Sequence, residues 1–515
     1  MNTHIKVRLG TWLVLLLSLV FLGVPRDAAT QTAAPMPKVT GPLPVTATSR
    51  PFLDSSHVFA PMDLAKSGYV EQEFLVSGNA NVYDWMADGS LAVKSSGAPY
   101  TTRILVRRPA NASRFSGAVL VELMYPPRRW DWAMMWGYMH DGLIARGDAW
   151  VGITVPGSIA GLQKFDPMRY AALSFANPSS AACAGANAAL PIEDGLKWDA
   201  ITQIGALLKS RAAGAPFAGL PASSLYMTVQ GGDLTTYMNA FHRVARLENA
   251  KPVYDGYLAR APFAATRISQ CAAAPAAGDP RHIVRNIDVP VIAVVPQGDL
   301  PNTFALRRDD SEAGDRYRLY EVAGSGHIDK FAYTGFPTMA DQTAAGNAQG
   351  SPEWPFATPC TPAIPLMDVP LLTTVYNSTF ANLDEWARKG KAAPRAPRLN
   401  ATGEGRQVMI ATDENGHGTG GLRTPYIDVP IASYTTSSPG PGTCAEMGHV
   451  MPFDAAKLKT LYGSFDAYLA KLNASIAKLS SERWLTSEDA KRLRKELGDS
   501  QRSRWNAVST ARAEP

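Results

Sequence analysis

The stretch Leu225–Val244, LYMTVQGGDLTTYMNAFHRV, most constrains how this chain can fold. It predicts a short apolar strand, a turn at Gly231 and Gly232, and then an amphipathic helix. The helical part repeats apolar side chains at the spacing of one helix face, at Leu234, Tyr237, Met238, Phe241 and Val244. A strand that turns directly into a helix is typical of a largely parallel sheet covered by helices, so we expect an α/β protein.

Other apolar runs with the character of strands alternate with helical segments. The strand-like runs are Gly117–Met124, Ala149–Val155, Leu225–Val229, Val289–Val295 and Tyr317–Val322. Residues 194–212 repeat apolar residues at helical spacing, and residues 453–515 have the pattern of a helical C-terminal tail. Residues 335–400 are rich in Pro, Ala and Gly, which indicates a loop-rich insertion, either a cap over the sheet or a wrapping extension. We expect one large domain over residues 30–515.

The first residues predict export. Lys6 and Arg8 precede an apolar run from residue 13 to residue 24, and small residues follow at Ala28 and Ala29. This is the pattern of a removable signal peptide over residues 1–29. The alternative is an uncleaved membrane anchor, but the run is short for a bilayer core of about 30 Å. We therefore expect a secreted or periplasmic protein without a stable membrane anchor.

The four cysteines fit an oxidising compartment. They are Cys183, Cys271, Cys360 and Cys444. An even number in an exported chain predicts two disulfides, for which three pairings are open.

The charge pattern does not favour a nucleic-acid partner. The net charge is +5, and the densest basic run, Lys491–Lys495, lies in a charge-mixed helical segment. His417 lies near Asp413 and Glu414, but their spacing matches no metal motif, so we expect neither a metal nor a cofactor. The expected partner is a small-molecule substrate, and the oligomeric state is left open.

Several short stretches occur in the order of a known family. They are Trp150–Thr154, Phe165–Tyr170, Thr236–His242, Tyr254–Leu258, Glu321–Asp329, Gly420–Pro430 and Tyr462–Tyr468. In these the chain resembles the secreted "alpha/beta hydrolase domain" proteins, which are described mainly from their sequences as esterases. The resemblance implies an α/β-hydrolase-type mostly parallel sheet flanked by helices, with nucleophile, acid and histidine in that chain order.

An esterase of this kind needs a base and a carboxylate that orients the base. His327 follows the strand-like run 317–322 and matches the family's histidine, so we predict that it is the catalytic base. Asp299 is the first acid after the run 289–295 and is the predicted orienting carboxylate, with Asp309 and Asp310 in reserve. The alternatives are a structural histidine and an aspartate that forms a turn or caps a helix.

The nucleophile is the difficult residue. When the helix from Leu234 onward is aligned with the family, Thr228 stands where relatives have serine, and Tyr226 and Gln230 stand where small residues are usual. Threonine is β-branched and is disfavoured in the strained backbone of a nucleophile turn. We predict a carboxylic-ester hydrolase that uses Thr228, His327 and Asp299. A lyase- or isomerase-like enzyme that uses His327 and a catalytically silent ligand-binding protein are the alternatives.

Three further residues complete the predicted site. The amide of Val229, next after Thr228, and the amide of Tyr125 are the predicted oxyanion donors. Tyr125 follows the run 117–124, and its phenol could also contact substrate; a rigid turn packed on the core is the alternative. Arg423 is the predicted binding residue for an anionic substrate group, although a buried arginine that satisfies backbone carbonyls explains it equally well.

Overall fold

A computed structural model describes residues 32–125, 129–220, 222–285, 287–302, 307–312, 314–347, 360, 366–403, 407–440, 442–502 and 505. The predicted signal peptide, residues 1–29, lies outside the described residues.

The described chain contains sixteen strands, of which ten form one sheet. In chain order they are β1 Thr32–Ala33, β2 Lys38–Thr40, β3 Tyr69–Trp85, β4 Leu91–Pro109, β5 Ala118–Leu123, β6 Ala149–Ile153, β7 Ser224–Gln230, β8 Ala245–Arg246, β9 Gly256–Arg260, β10 Val291–Pro296, β11 Asp310–Glu312, β12 Asp315–Val322, β13 Ala401–Thr402, β14 Met409–Ile410, β15 Ala432–Tyr434 and β16 Val450–Pro452. The large sheet has the order β11-β12-β10-β9-β7-β5-β6-β4-β3-β2. Its centre, from β12 to β6, is parallel, while β11 and the β4-β3-β2 edge are antiparallel.

Helices lie against this sheet. In chain order the α-helices among the described residues are α1 Met134–Arg146, α2 Ile159–Phe165, α3 Lys197–Lys209, α4 Gly232–Ala240, α5 Met339–Ala344, α6 Leu371–Lys389, α7 Pro425–Asp428, α8 Ala455–Tyr462, α9 Phe465–Ser481 and α10 Ser487–Leu493. Helix α6 contacts β9, β10 and α1, and α3 contacts β3 and β7. Every residue of β5, β6, β9 and β10 is buried, as expected for parallel strands that are covered on both faces.

The structure confirms the predicted fold class, a mostly parallel sheet flanked by helices with a helical C-terminal tail. All five predicted strands are present, and each bound lies within two residues of its predicted position. The long hairpin of β3 and β4 and the strand β9 were not predicted. Within residues 335–400, α6 packs directly on the sheet, and residues 348–359 and 361–365 lie outside the described part.

Two disulfides are formed, as predicted. They pair Cys183 with Cys271 and Cys360 with Cys444, which selects one of the three possible pairings. None of the helices in the described part of the chain is both apolar enough and long enough to span a bilayer.

Candidate active site

The predicted strand, glycine turn and helix are present at the centre of the sheet. Strand β7 ends at Gln230, Gly231 has φ 99° and ψ −164°, and helix α4 starts at Gly232. Glycine adopts this backbone conformation at little cost, whereas other residues do so only under strain. Gly231 therefore occupies the sharp strand-to-helix turn where an α/β-hydrolase presents its nucleophile, and it carries no hydroxyl.

The structure corrects the prediction for Thr228. This residue lies inside β7, three positions before Gly231, and its side chain is fully buried. Its hydroxyl donates a 2.8 Å hydrogen bond to the carbonyl of Leu258 on the neighbouring strand. A buried hydroxyl that satisfies a strand carbonyl cannot attack a substrate, so the prediction of Thr228 as nucleophile is wrong. Val229 also lies inside β7 and is not the residue that follows the turn, so the reason for choosing its amide as an oxyanion donor is lost.

The loops after β10 and β12 carry the predicted acid and base and are hydrogen-bonded to each other. The amide of Gly298 donates to the carbonyl of Ser325 at 3.0 Å, and the amide of Gln297 donates to the Ser325 hydroxyl at 3.1 Å. The side-chain oxygen of Gln297 accepts a 2.7 Å bond from the amide of Gly324. These bonds fix the two loops relative to each other at the carboxyl edge of the sheet.

His327 and Asp299 are brought together by these loops. Nδ1 of His327 lies 2.7 Å from Oδ1 of Asp299, and their side chains are 15% and 5% exposed. A hydrogen on Nδ1 that is donated to the carboxylate leaves the lone pair of the imidazole on Nε2. This arrangement of a carboxylate behind an imidazole is the one that orients a general base. The catalytic roles of the two residues stay a prediction.

Two residues that were not predicted connect this pair to the turn at Gly231. Arg260, the last residue of β9, pairs in register with Gln230, and its Nη2 donates to the backbone carbonyl of His327. The ring of Phe263 has its centre 6.2 Å from that of His327, and a Cβ at Gly231 would lie 3.7 Å from Phe263 Cδ2. The His327 loop therefore lies over the end of β9, one strand away from the turn. An arginine that ends the apolar run GYLAR is a sequence signal that could have been noticed.

A cluster of buried ionisable groups surrounds this loop. Burial raises the pKa of Asp329 to about 7. Burial alone would lower the pKa of Arg260, but Tyr376, Tyr138 and Asp299 outweigh it, so the net shift is upward. Arg260 therefore keeps its positive charge within the buried part of the site.

The structure also corrects the prediction for the Tyr125 amide. That N–H donates to the carbonyl of Trp132 at 3.1 Å, and the Trp132 amide donates back to Tyr125 at 3.0 Å. The amide is therefore committed to a local bridge and is not a donor for an oxyanion. Burial raises the pKa of the Tyr125 phenol, which is partly exposed.

Arg423 makes structural contacts within its own segment, and its role in substrate binding stays a prediction. Its guanidinium donates at 2.9 Å to both Asp428 and Asp413 and also to the carbonyls of Gly418 and Ile427. The two carbonyl contacts agree with the alternative of an arginine that satisfies backbone carbonyls, although this side chain is 22% exposed. Nε2 of the nearby His417 accepts a 3.1 Å bond from the amide of Tyr434, and burial lowers the pKa of His417 to about 4.

No curated protein matches. Among solved structures, esterase Est22 is 13% identical, with 55% of this chain and 80% of that chain covered and a TM-score of 0.28. Candida antarctica lipase A in its closed state is 12% identical, with 41% and 44% covered and a TM-score of 0.19. An arylesterase is 10% identical, with 52% and 82% covered and a TM-score of 0.24. The sequence profile of the family described as "Alpha/beta hydrolase domain" matches residues 39–495, so the chain belongs to that family.

Proposed function

We propose that this protein is a hydrolase that cleaves a carboxylic ester by direct attack of water, with His327 as general base and Asp299 as the carboxylate that orients it. The observation that carries the proposal is the 2.7 Å contact between Nδ1 of His327 and Oδ1 of Asp299, beside a strand-to-helix turn that has no side chain at Gly231. Family membership supports a hydrolase, and the missing hydroxyl favours a mechanism without an acyl-enzyme.

In this mechanism Nε2 of His327 takes a proton from water as the water oxygen attacks the ester carbonyl carbon. The tetrahedral intermediate then collapses, and the imidazolium returns the proton to the leaving alcohol. One water and one ester are consumed, and one acid and one alcohol are formed. The amide of Gly232, the first in α4, takes the place of the Val229 amide as our candidate oxyanion donor, because it directly follows the turn.

The test is the turnover of short p-nitrophenyl esters by the full chain. We expect His327→Ala and Asp299→Asn to lower kcat by about 10²- to 10⁴-fold. The control is His140→Ala, because the Nδ1 of His140 contacts only carbonyls of its own helix, Trp136 and Gly137, among the described residues. An initial burst of p-nitrophenol equal to the enzyme concentration would contradict direct attack by water. Unchanged turnover in His327→Ala would remove the proposed base.

A lyase- or isomerase-like proton transfer is the second candidate, and the hydroxyl-free turn at Gly231 favours it as well. His327 would then take a proton from a carbon atom of the substrate. Exchange of a carbon-bound hydrogen with deuterium from solvent, without ester hydrolysis, would favour this candidate. The third candidate is a catalytically silent ligand-binding protein. In that case His327→Ala should change no detectable turnover.

We further propose that the mature chain is one exported domain. Lys6, Arg8 and the apolar run that follows them support export, and the two disulfides are compatible with it. Amino-terminal sequencing of the protein recovered outside the cytoplasm tests this proposal. We expect a new terminus close after Ala29, and a retained Met1 would contradict cleavage.

A further inference from the structure

Arg260 lies at the point where the sheet meets the loop of the proposed base. It is the last residue of β9, between β7 and β10 in the sheet, and its side chain is fully buried. Its register partner on β7 is Gln230, the residue just before the turn. Few buried arginines occur without a specific set of partners, so its contacts indicate what it does.

The guanidinium of Arg260 holds the backbone of the base. Nη2 donates a hydrogen bond to the carbonyl oxygen of His327 itself. The guanidinium carbon lies 5.6 Å from the ring centre of Tyr138 on α1, a cation–π distance. One side chain therefore connects the strand β9, the helix α1 and the loop that carries the imidazole.

The charges near Arg260 are those that act on the proposed pair of base and acid. Its positive charge interacts with the carboxylates of Asp299 and Asp329 and with the phenol of Tyr376. Arginine stays protonated at any working pH, so this charge is constant. The proposed mechanism uses the Asp299 carboxylate to hold Nδ1–H of His327, and Arg260 is an opposite charge that acts on this carboxylate.

We propose that Arg260 is the residue that positions the general base, by holding the backbone carbonyl of His327 through its Nη2 hydrogen bond. The inference rests on the proposed function in taking His327 as the base. Lysine retains the charge but lacks the planar set of five N–H donors, so it cannot hold the carbonyl in the same geometry. Displacement of a catalytic group by about 1 Å can cost about 10²-fold in rate.

The experiment compares Arg260→Lys and Arg260→Met with the control Arg318→Lys in the full chain. Arg318 is also a buried arginine of this sheet, and it donates to the carbonyls of Ala393 and Tyr317. We measure kcat and KM on p-nitrophenyl esters, thermal unfolding, and the NMR titration of His327 with labelled histidine and no substrate, assigned by comparison with His327→Ala.

We expect both Arg260 variants to lower kcat by about 10- to 100-fold with KM within threefold, and to shift the His327 titration. Arg318→Lys should lower only the unfolding temperature. An unchanged kcat and an unchanged His327 titration in Arg260→Lys would overturn the proposal, as would equal effects in Arg318→Lys. If the parent protein hydrolyses no ester, the proposed function fails, while the NMR comparison still decides whether Arg260 positions His327. If Arg260→Met does not fold, Arg260→Lys decides alone.

Discussion

Replacing Gly231 by serine should place a nucleophilic hydroxyl at the strand-to-helix turn. Among the described residues beyond its chain neighbours, a Cβ at Gly231 would contact Phe263 Cδ2 at 3.7 Å, which is an ordinary van der Waals distance. At the next glycine, Gly232, a Cβ would lie 1.9 Å from the carbonyl oxygen of Ala264 and could not be accommodated. The structure therefore has room for a side chain at one of two adjacent glycines.

The magnitude of the stability loss follows from the backbone. Gly231 has φ 99°, where a residue with a side chain is strained by about 1–3 kcal/mol. In a chain of this size such a loss lowers Tm by several degrees at most. Gly231→Ala measures this backbone cost without a hydroxyl. Gly232→Ser should fail to fold or should lose far more stability, because the carbonyl of Ala264 cannot move without displacing its loop.

The assay is covalent labelling by a fluorophosphonate, followed by intact mass. We expect no adduct on the parent protein, one adduct on Gly231→Ser, and none on the double variant Gly231→Ser with His327→Ala, since the base would activate the new hydroxyl. If Gly231→Ser folds as well as Gly231→Ala and is not labelled, Gly231 does not occupy the nucleophile position. An adduct on Thr228 of the parent protein would refute the interpretation that Thr228 is buried and that Gly231 occupies the nucleophile position.

Three further results are expected. Thr228→Val should lower the free energy of unfolding by about 1 kcal/mol, because the carbonyl of Leu258 loses the hydroxyl that donates to it. It should leave ester turnover within twofold. Thr228→Ser keeps the hydroxyl and should restore the stability in the same thermal unfolding assay. The pKa of Asp329 is about 7 when folded, so the folded state binds the proton more tightly than the unfolded chain. Stability should therefore fall by about 3 kcal/mol as pH rises from 4 to 7, and Asp329→Asn should flatten this slope in urea unfolding at each pH. Replacing Cys360 and Cys444 by serine opens a loop that the disulfide closes across 84 residues. The free energy of unfolding should fall by about 4–5 kcal/mol, because the unfolded chain gains entropy. A fall of less than 1 kcal/mol would contradict this explanation.

The order of the elements could be read from the sequence because apolar runs and glycines determine it. The turn at Gly231 is where the pattern predicted it, and the carboxyl ends of β10 and β12 bring Asp299 and His327 together as the parallel arrangement requires. The hairpin of β3 and β4 was missed because charged residues interrupt its apolar pattern. Two of them, Glu73 and Arg103, form a fully buried ion pair, which no periodicity of apolar residues reveals.

The position of the nucleophile could not be read in the same way. Counting back from Leu234 assigns Thr228 to the turn only if the strand ends before it, whereas β7 continues to Gln230. The hydrogen bonds that occupy the Thr228 hydroxyl and the Tyr125 amide come from neighbouring strands and turns, so they depend on tertiary structure. A sequence pattern can predict which group is a hydrogen-bond donor, but it does not predict which acceptor that donor contacts in the folded protein.

The buried charges beside His327 favour an enzyme over a catalytically silent ligand-binding protein. Removing Arg260, Asp299 and Asp329 from water costs several kcal/mol each, and apolar residues of similar size would pack the same space with no such cost. The pKa values of Arg260 and Asp329 are both shifted upward, and clusters of ionisable groups with shifted pKa values are typical of sites that move protons. Here the Asp299 carboxylate contacts the imidazole, and the guanidinium of Arg260 contacts the backbone of that histidine. Stability alone does not require this arrangement, whereas the proposed general-base role of His327 accounts for it.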